Sequence, residues 1–176
     1  MPHYSASEGE NVKKIEIKIP ITGIINNICK KKMNKTGPII IIEDDLDDQE
    51  ILAEVFRDIN IGNEIIFFSD SVKALEFLIK MDIQPFLILS DINMPKLNGI
   101  ELREKLHNNE QLRLKSIPYL FFSTSAEQNN VVKAYSRSVQ GFFVKPASYI
   151  DVKEIIIKIV EYWKVCASPD YIEGAQ

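Results

Sequence analysis

Cysteine is scarce in this 176-residue sequence, with only Cys29 and Cys166, which lie far apart and without ligand-like spacing. That excludes a disulfide framework and a cysteine-built zinc site, and leaves reduced, cytosolic thiols as the plain reading. Long apolar runs are missing as well: no stretch approaches the roughly 18 residues that cross a bilayer. Nor does an apolar core of roughly 7–15 residues precede a small-residue cleavage site, as in a signal peptide. The expectation is a soluble, cytoplasmic protein with no membrane partner. There is no internal repeat and no low-complexity tract. A basic surface is also lacking over most of the chain. Residues 1–37 hold seven Lys against three Glu, but the remainder holds 14 Lys and Arg against 22 Asp and Glu. An acidic body argues against nucleic acid as a partner, because binding it needs a clustered positive footprint.

A hydrophobic content of 45% and a charged content of 26% are ordinary for a globular chain, and the length suits one domain with an appendage. From Pro38 onward, short apolar runs at 39–43, 64–68, 86–90, 117–122 and 141–144 predict five strands. Amphipathic patterns at 49–59, 71–80, 99–107, 127–136 and 150–163 predict helices between them. In the first helix, Ile51, Leu52, Val55, Phe56 and Ile59 mark one face. The unbroken apolar run from Phe86 to Leu89 fits a central strand covered on both faces. This alternation predicts an α/β fold with a parallel sheet and helices on both faces. Residues 1–37 do not share the rhythm, since Pro20, Gly23, Asn26 and Asn27 interrupt their apolar residues. They read as a basic extension with disorder or weak local structure. The alternation of Lys14, Glu16 and Lys18 with Ile15, Ile17 and Ile19 also permits a strand added to the sheet edge. Met33 is an alternative start. Residues 165–176 read as a tail, too short for an output domain.

Polar residues gather at the predicted strand ends: Glu43-Asp44-Asp45, Asp91, Ser123-Thr124-Ser125 and Lys145-Pro146. In open α/β sheets that edge is where ligands bind. Carboxylates brought together raise one another's pKa unless a cation neutralises them, and hard oxygen ligands with room for water suit Mg²⁺. Each residue alone has a plainer reading. Asp44 and Asp45 could cap a helix, Asp91 could serve a turn, Ser123 could be a surface hydroxyl, and Lys145 is uninformative by itself. Their joint placement at matching strand ends favours function.

Residues 38–164 resemble the receiver domain of two-component response regulators. The resemblance rests on the acidic pair Asp44 and Asp45, on Asp91 followed by Met94, Pro95 and Gly99, on Ser123, and on Lys145-Pro146. It implies a doubly wound, flavodoxin-like, five-stranded parallel sheet in the order 2-1-3-4-5. It also implies that Asp91 accepts a phosphoryl group from a sensor histidine kinase or phosphotransfer protein. Mg²⁺ would be held by Asp44, Asp45, Asp91 and the Asn93 carbonyl, and Lys145 would help it spread the charge on the phosphoryl oxygens. Ser123 would hydrogen-bond that group and, with Phe142, form the switch. A changed surface over 127–136, 141–144 and 150–163 would be read by a downstream protein target or a homodimer partner. Thr124, Ser138 and Phe142 depart from the commoner small residue, Gly and Tyr, and the segment 107–115 is longer and more polar than in compact receivers. In this it is similar to stand-alone receivers paired with phytochrome-type kinases. Two rivals stand beside this reading. One is a pseudo-receiver that binds protein without accepting phosphate. The other is a phosphohydrolase of the haloacid dehalogenase type, although that family wants Asp-x-Asp on its first strand and this sequence has Asp91-Ile92-Asn93 on its third.

Overall fold

Four consecutive isoleucines, Ile39–Ile42, form β1 and are all buried, which requires a strand covered on both faces. In the computed structural model, which describes residues 35–166 except 82, 125 and 126, β1 lies between β2 (Ile65–Phe68) and β3 (Leu87–Ser90). β4 (Tyr119–Ser123) and β5 (Gly141–Val144) follow beyond β3. All pairs are parallel and the order is β2-β1-β3-β4-β5, as the resemblance implies. Residues 1–34 of the extension 1–37 and 167–176 of the tail 165–176, with the expectations placed on them, lie outside the described residues.

Six helices connect and cover the strands among the described residues: α1 (Leu46–Ile59), α2 (Ser71–Lys80), α3 (Gly99–Asn108), α4 (Glu110–Leu114), α5 (Gln128–Ser136) and α6 (Tyr149–Val165). Side chains alternate across a strand, and the core divides accordingly. Ile39, Ile41, Leu87, Leu89, Leu120 and Phe122 pack on one face against Leu52, Val55 and Phe56 of α1 and Val152, Ile156 and Ile159 of α6. On the other face Ile40, Ile42, Ile88, Tyr119 and Phe121 meet Ala74 and Leu78 of α2, Leu102 and Leu106 of α3, and Ala134 of α5. Along the apolar stretch 155–160 of α6, Ile156, Ile159 and Val160 are buried and Lys158 is exposed.

Two boundaries differ from the sequence reading. α1 starts at Leu46 rather than 49, because the Asp45 carboxylate accepts hydrogen bonds from the Asp47 and Asp48 amides and opens the helix there. The polar segment 107–115 contains the one-turn α4, which Asn109 caps through the Leu112 amide and which buries Leu112 at 9% exposure. At this amino edge of the sheet Arg103 lies over the Tyr119 ring, 5.4 Å from its centroid. It also donates to the carbonyls of Ser138 at 2.7 Å and Arg137 at 3.2 Å. Ser138 has φ of +57°, so a serine holds the left-handed position where glycine is commoner.

Candidate functional site

β3 runs into Asp91, whose amide donates to the Ile42 carbonyl at 2.8 Å and so extends the ladder by one residue. The Asp91 side chain is 8% exposed. Its Oδ2 accepts from the Asn93 amide at 2.7 Å, while its Oδ1 is buried without a hydrogen-bond partner. The loop that follows is held tightly. Gly99 donates to the Ile92 carbonyl at 2.9 Å, and a Cβ at Gly99 would stand 2.1 Å from the Asp91 carbonyl oxygen. Only glycine lets α3 start so close to the backbone of Asp91.

β1 delivers Glu43, 3% exposed, with its amide bound to the Phe68 carbonyl at 3.0 Å. Carboxylate oxygens of Glu43, Asp44 and Asp91 all lie within 4.8 Å of one another. Asp45 is outside this group, exposed, and committed to capping α1. The acidic pair beside Asp91 is therefore Glu43 and Asp44, one residue earlier than the sequence reading placed it. The reason is the helix: starting at Leu46, it turns Asp45 toward its own first turn.

Lys145 follows β5, and its amide donates to the Ser123 carbonyl at 3.0 Å. Its side chain is 7% exposed, ion-paired with Glu43, 2.7 Å from Asp48 and 3.6 Å from Asp91 Oδ1. Burial pushes the Glu43 carboxyl up to about 7, although Lys145 pulls it back, and the nearby Asp91 charge adds to the rise. Burial works against a charged Lys145 too, but hydrogen bonds to Asp48 and Glu43 reverse that and hold its pKa above the usual value. Ser123 ends β4 and is fully buried. Phe142 in β5 is half-buried and packs toward the α2–α3–α5 face, its ring 6.1 Å from that of Phe121. Thr124 is exposed beyond the strand end.

The edge of the sheet thus gathers Asp44, Asp91, Lys145 and Ser123, with the backbone of Asn93 beside the central aspartate. Glu43 and Asp48 complete the group. Sequence reading had noted Glu43 only as a strand-end residue. The spacing Asp45-x-x-Asp48 could have pointed to Asp48, because a cap at Asp45 brings the residue three positions on into the first turn of the helix.

Comparison with known proteins assigns the family. Residues 39–157 match the response regulator receiver domain. The chain belongs to that family. The chemotaxis protein CheY-3 of Vibrio cholerae is 30% identical over 129 residues, which cover 73% of this chain and 95% of that protein. Response regulator Rcp1 of Synechocystis is 28% identical over 135 residues, 74% of this chain and 90% of its own, and its Mn²⁺-bound crystal structure superposes with a TM-score of 0.67 over 77% of this chain and 99% of that one. The phosphorylated cyanobacterial phytochrome response regulator RcpA superposes with a TM-score of 0.69 at 25% identity, covering 76% of this chain and 99% of that one.

Proposed function

We propose that this receiver accepts a phosphoryl group on Asp91, in a Mg²⁺-dependent reaction, from a histidine kinase or phosphotransfer protein, and passes the signal on through a change of surface. The observation that carries the reading is Asp91 itself, a nearly buried carboxylate with one oxygen lacking a hydrogen bond, beside two further carboxylates and a lysine. A buried anionic oxygen left unpaired is costly, and it persists where a ligand or reacting group completes it. Three carboxylates that can converge on one point are hard oxygen donors of the kind Mg²⁺ takes, so the residues present fit that ion. Glu43, Asp44 and Asp91 would hold it, with Asn93 contributing its carbonyl, and the ion would supply charge neutralisation at the phosphoryl oxygens.

The chain's own residues do the rest. The Asp91 carboxylate attacks phosphorus, an oxygen–phosphorus bond forms as the donor's nitrogen–phosphorus bond breaks, and the departing imidazole keeps the electron pair and takes up a proton. Lys145 stabilises the charge gathering on the transferred group. Ser123 is the hydroxyl that meets the new phosphoryl oxygen, and Phe142, lacking a hydroxyl, follows by packing alone. The faces of α5, β5 and α6 are where a downstream protein or a second copy would read the change. They expose Val132, Tyr135, Val144 and Ile150. No helix among the described residues is long and apolar enough to cross a membrane, which is consistent with a cytoplasmic setting.

The test is labelling by acetyl phosphate with and without Mg²⁺. One phosphoryl group per chain is expected with the ion, and none on Asp91→Asn. Full labelling of that variant would move the acceptor elsewhere, and no labelling of the natural chain would leave the pseudo-receiver reading.

A further inference from the structure

Asp48 belongs to none of the motifs that carry the resemblance, yet its carboxylate is 2.7 Å from the Lys145 ammonium. It stands in the first turn of α1, and its amide is tied to the Asp45 cap at 3.1 Å, so its backbone is fixed relative to the strand ends. Its side chain is 33% exposed where that of Lys145 is 7% exposed, so it reaches the ammonium from the solvent side. The carboxylates that can share a cation are Glu43, Asp44 and Asp91, and Asp48 is not among them.

A lysine ammonium has three N–H donors in a tetrahedral spread. Glu43 and Asp48 take two of them, and Asp91 Oδ1 lies 3.6 Å away on the remaining side, beyond a normal hydrogen bond. We propose that Asp48 is a positioning residue for Lys145: it holds the ammonium just short of Asp91 and aims its third N–H at the space where the phosphoryl oxygens arrive. This rests on the reading of Asp91 as phosphoacceptor. Glu43 cannot serve as the fixed anchor, because it is also one of the three carboxylates placed to bind a cation, which competes for its oxygens. Asp48 has no such second demand. Without it, the ammonium closes onto Asp91 Oδ1, and the pair that forms occupies the lone pairs needed for attack on phosphorus. Losing Asp48 therefore harms the site in two ways, by removing the anchor of the cation and by masking the nucleophile.

The experiment compares the full chain with Asp48→Asn and Asp48→Glu. Four quantities are read: melting temperature, Mg²⁺ affinity by calorimetry, affinity for beryllofluoride as a phosphoryl mimic by fluorine NMR in saturating Mg²⁺, and the rate of labelling by acetyl phosphate. For Asp48→Asn, beryllofluoride affinity and labelling rate should each fall about tenfold, the scale of one charge-assisted hydrogen bond, with Mg²⁺ affinity unchanged within about twofold. Asp48→Glu should recover most of both. A merely structural role for Asp48 would lower the melting temperature and weaken Mg²⁺ and beryllofluoride together, and that result would overturn the proposal. So would unchanged beryllofluoride affinity and labelling in Asp48→Asn. If the natural chain neither binds beryllofluoride nor accepts label, the phosphoacceptor reading itself fails and the inference fails with it.

Discussion

The two edges of the sheet treat charge in opposite ways. At the amino edge polar side chains close on fixed partners: Arg103 stacks on Tyr119 and donates to two carbonyls, the Tyr119 amide donates to Gln140 Oε1 at 2.8 Å, and Lys115 donates to the Ile83 carbonyl at 3.0 Å. At the carboxyl edge Glu43, Asp48 and Asp91 surround a single ammonium, and one oxygen of Asp91 is left without a hydrogen bond. One edge is arranged for stability. The other holds surplus negative charge under cover, which costs stability and is useful only if a cation and a phosphoryl group come to it.

The sharpest way to break that contrast is to disturb the backbone under Asp91. Gly99→Ala would put a Cβ 2.1 Å from the Asp91 carbonyl oxygen, a backbone atom that cannot swing aside. The expected loss is about 4 kcal/mol, above the usual range for overpacking because the atom met is backbone. Thermal melts should show it, and labelling by acetyl phosphate should slow with it because Asp91 moves. An unchanged melting temperature would mean that the loop yields, and that the site is not held by this contact.

A somewhat smaller effect should separate the edges by pH. The Glu43 carboxyl rises from 4.5 to about 7 on folding, so between those values the folded chain binds more protons than the unfolded one. Stability from this group is therefore complete below about pH 4.5 and lost as pH rises through 7, by on the order of 3 kcal/mol. Asp58 and Asp70 shift the other way, lowered by hydrogen bonds from Lys153 and Lys96 respectively. Their contributions are present above the usual carboxylate pKa and fade only in more acid solution, outside this window. Metal-free denaturant melts from pH 4.5 to 8 should thus fall for the natural chain and stay flat for Glu43→Gln. A natural chain that gains stability over that range would show that Lys145 outweighs the burial of Glu43.

The amino edge gives the control. Arg103→Ala removes the ring contact and both carbonyl hydrogen bonds, and should cost about 2 kcal/mol. Labelling of Asp91 should be unaffected, since Arg103 itself reaches the Tyr119 ring and the Arg137 and Ser138 carbonyls and not Asp91. A labelling defect as large as the stability defect would mean that the two edges are coupled through the sheet, and that the contrast between them is not one of separate roles.

Much of this was legible in the sequence, and the parts that were not share a physical cause. The apolar runs and helical periodicities place all five strands and their helices, because burial of β1 and β3 on both faces demands continuous isoleucine and leucine. Asp91, Ser123 and Lys145 were readable as strand-end residues, and Gly99 as part of the motif after Asp91. Glu43 was harder to read. A glutamate after four isoleucines looks like the strand turning to solvent, whereas its role comes from being 3% exposed beside Lys145, 102 residues away. Asp48 and Arg103 were hidden for the same reason, as their partners lie 97 and about 35 positions away. The one-turn α4 was missed because five polar-rich residues carry too little periodicity to register.

Asp45 offers the smallest effect and the finest division within the carboxyl edge. The sequence reading paired it with Asp44 as a metal ligand, but the structure gives its carboxylate to the amides of Asp47 at 2.9 Å and Asp48 at 3.1 Å. A helix cap and a metal ligand predict different losses on truncation. If it is a cap, Asp45→Ala should cost about 1 kcal/mol, which is a fall of about 3 °C in Tm for a domain of this size, and Mg²⁺ affinity should stay within about twofold. Asp44→Asn, by contrast, removes one of three converging carboxylates from a divalent ion and should weaken Mg²⁺ by about tenfold or more while barely moving Tm. Calorimetric titration of both variants, read beside their melts, decides the matter. The two losses should fall on different quantities, and if Asp45→Ala weakens Mg²⁺ as much as Asp44→Asn does, the acidic pair is Asp44 and Asp45 after all and Glu43 serves only to hold Lys145.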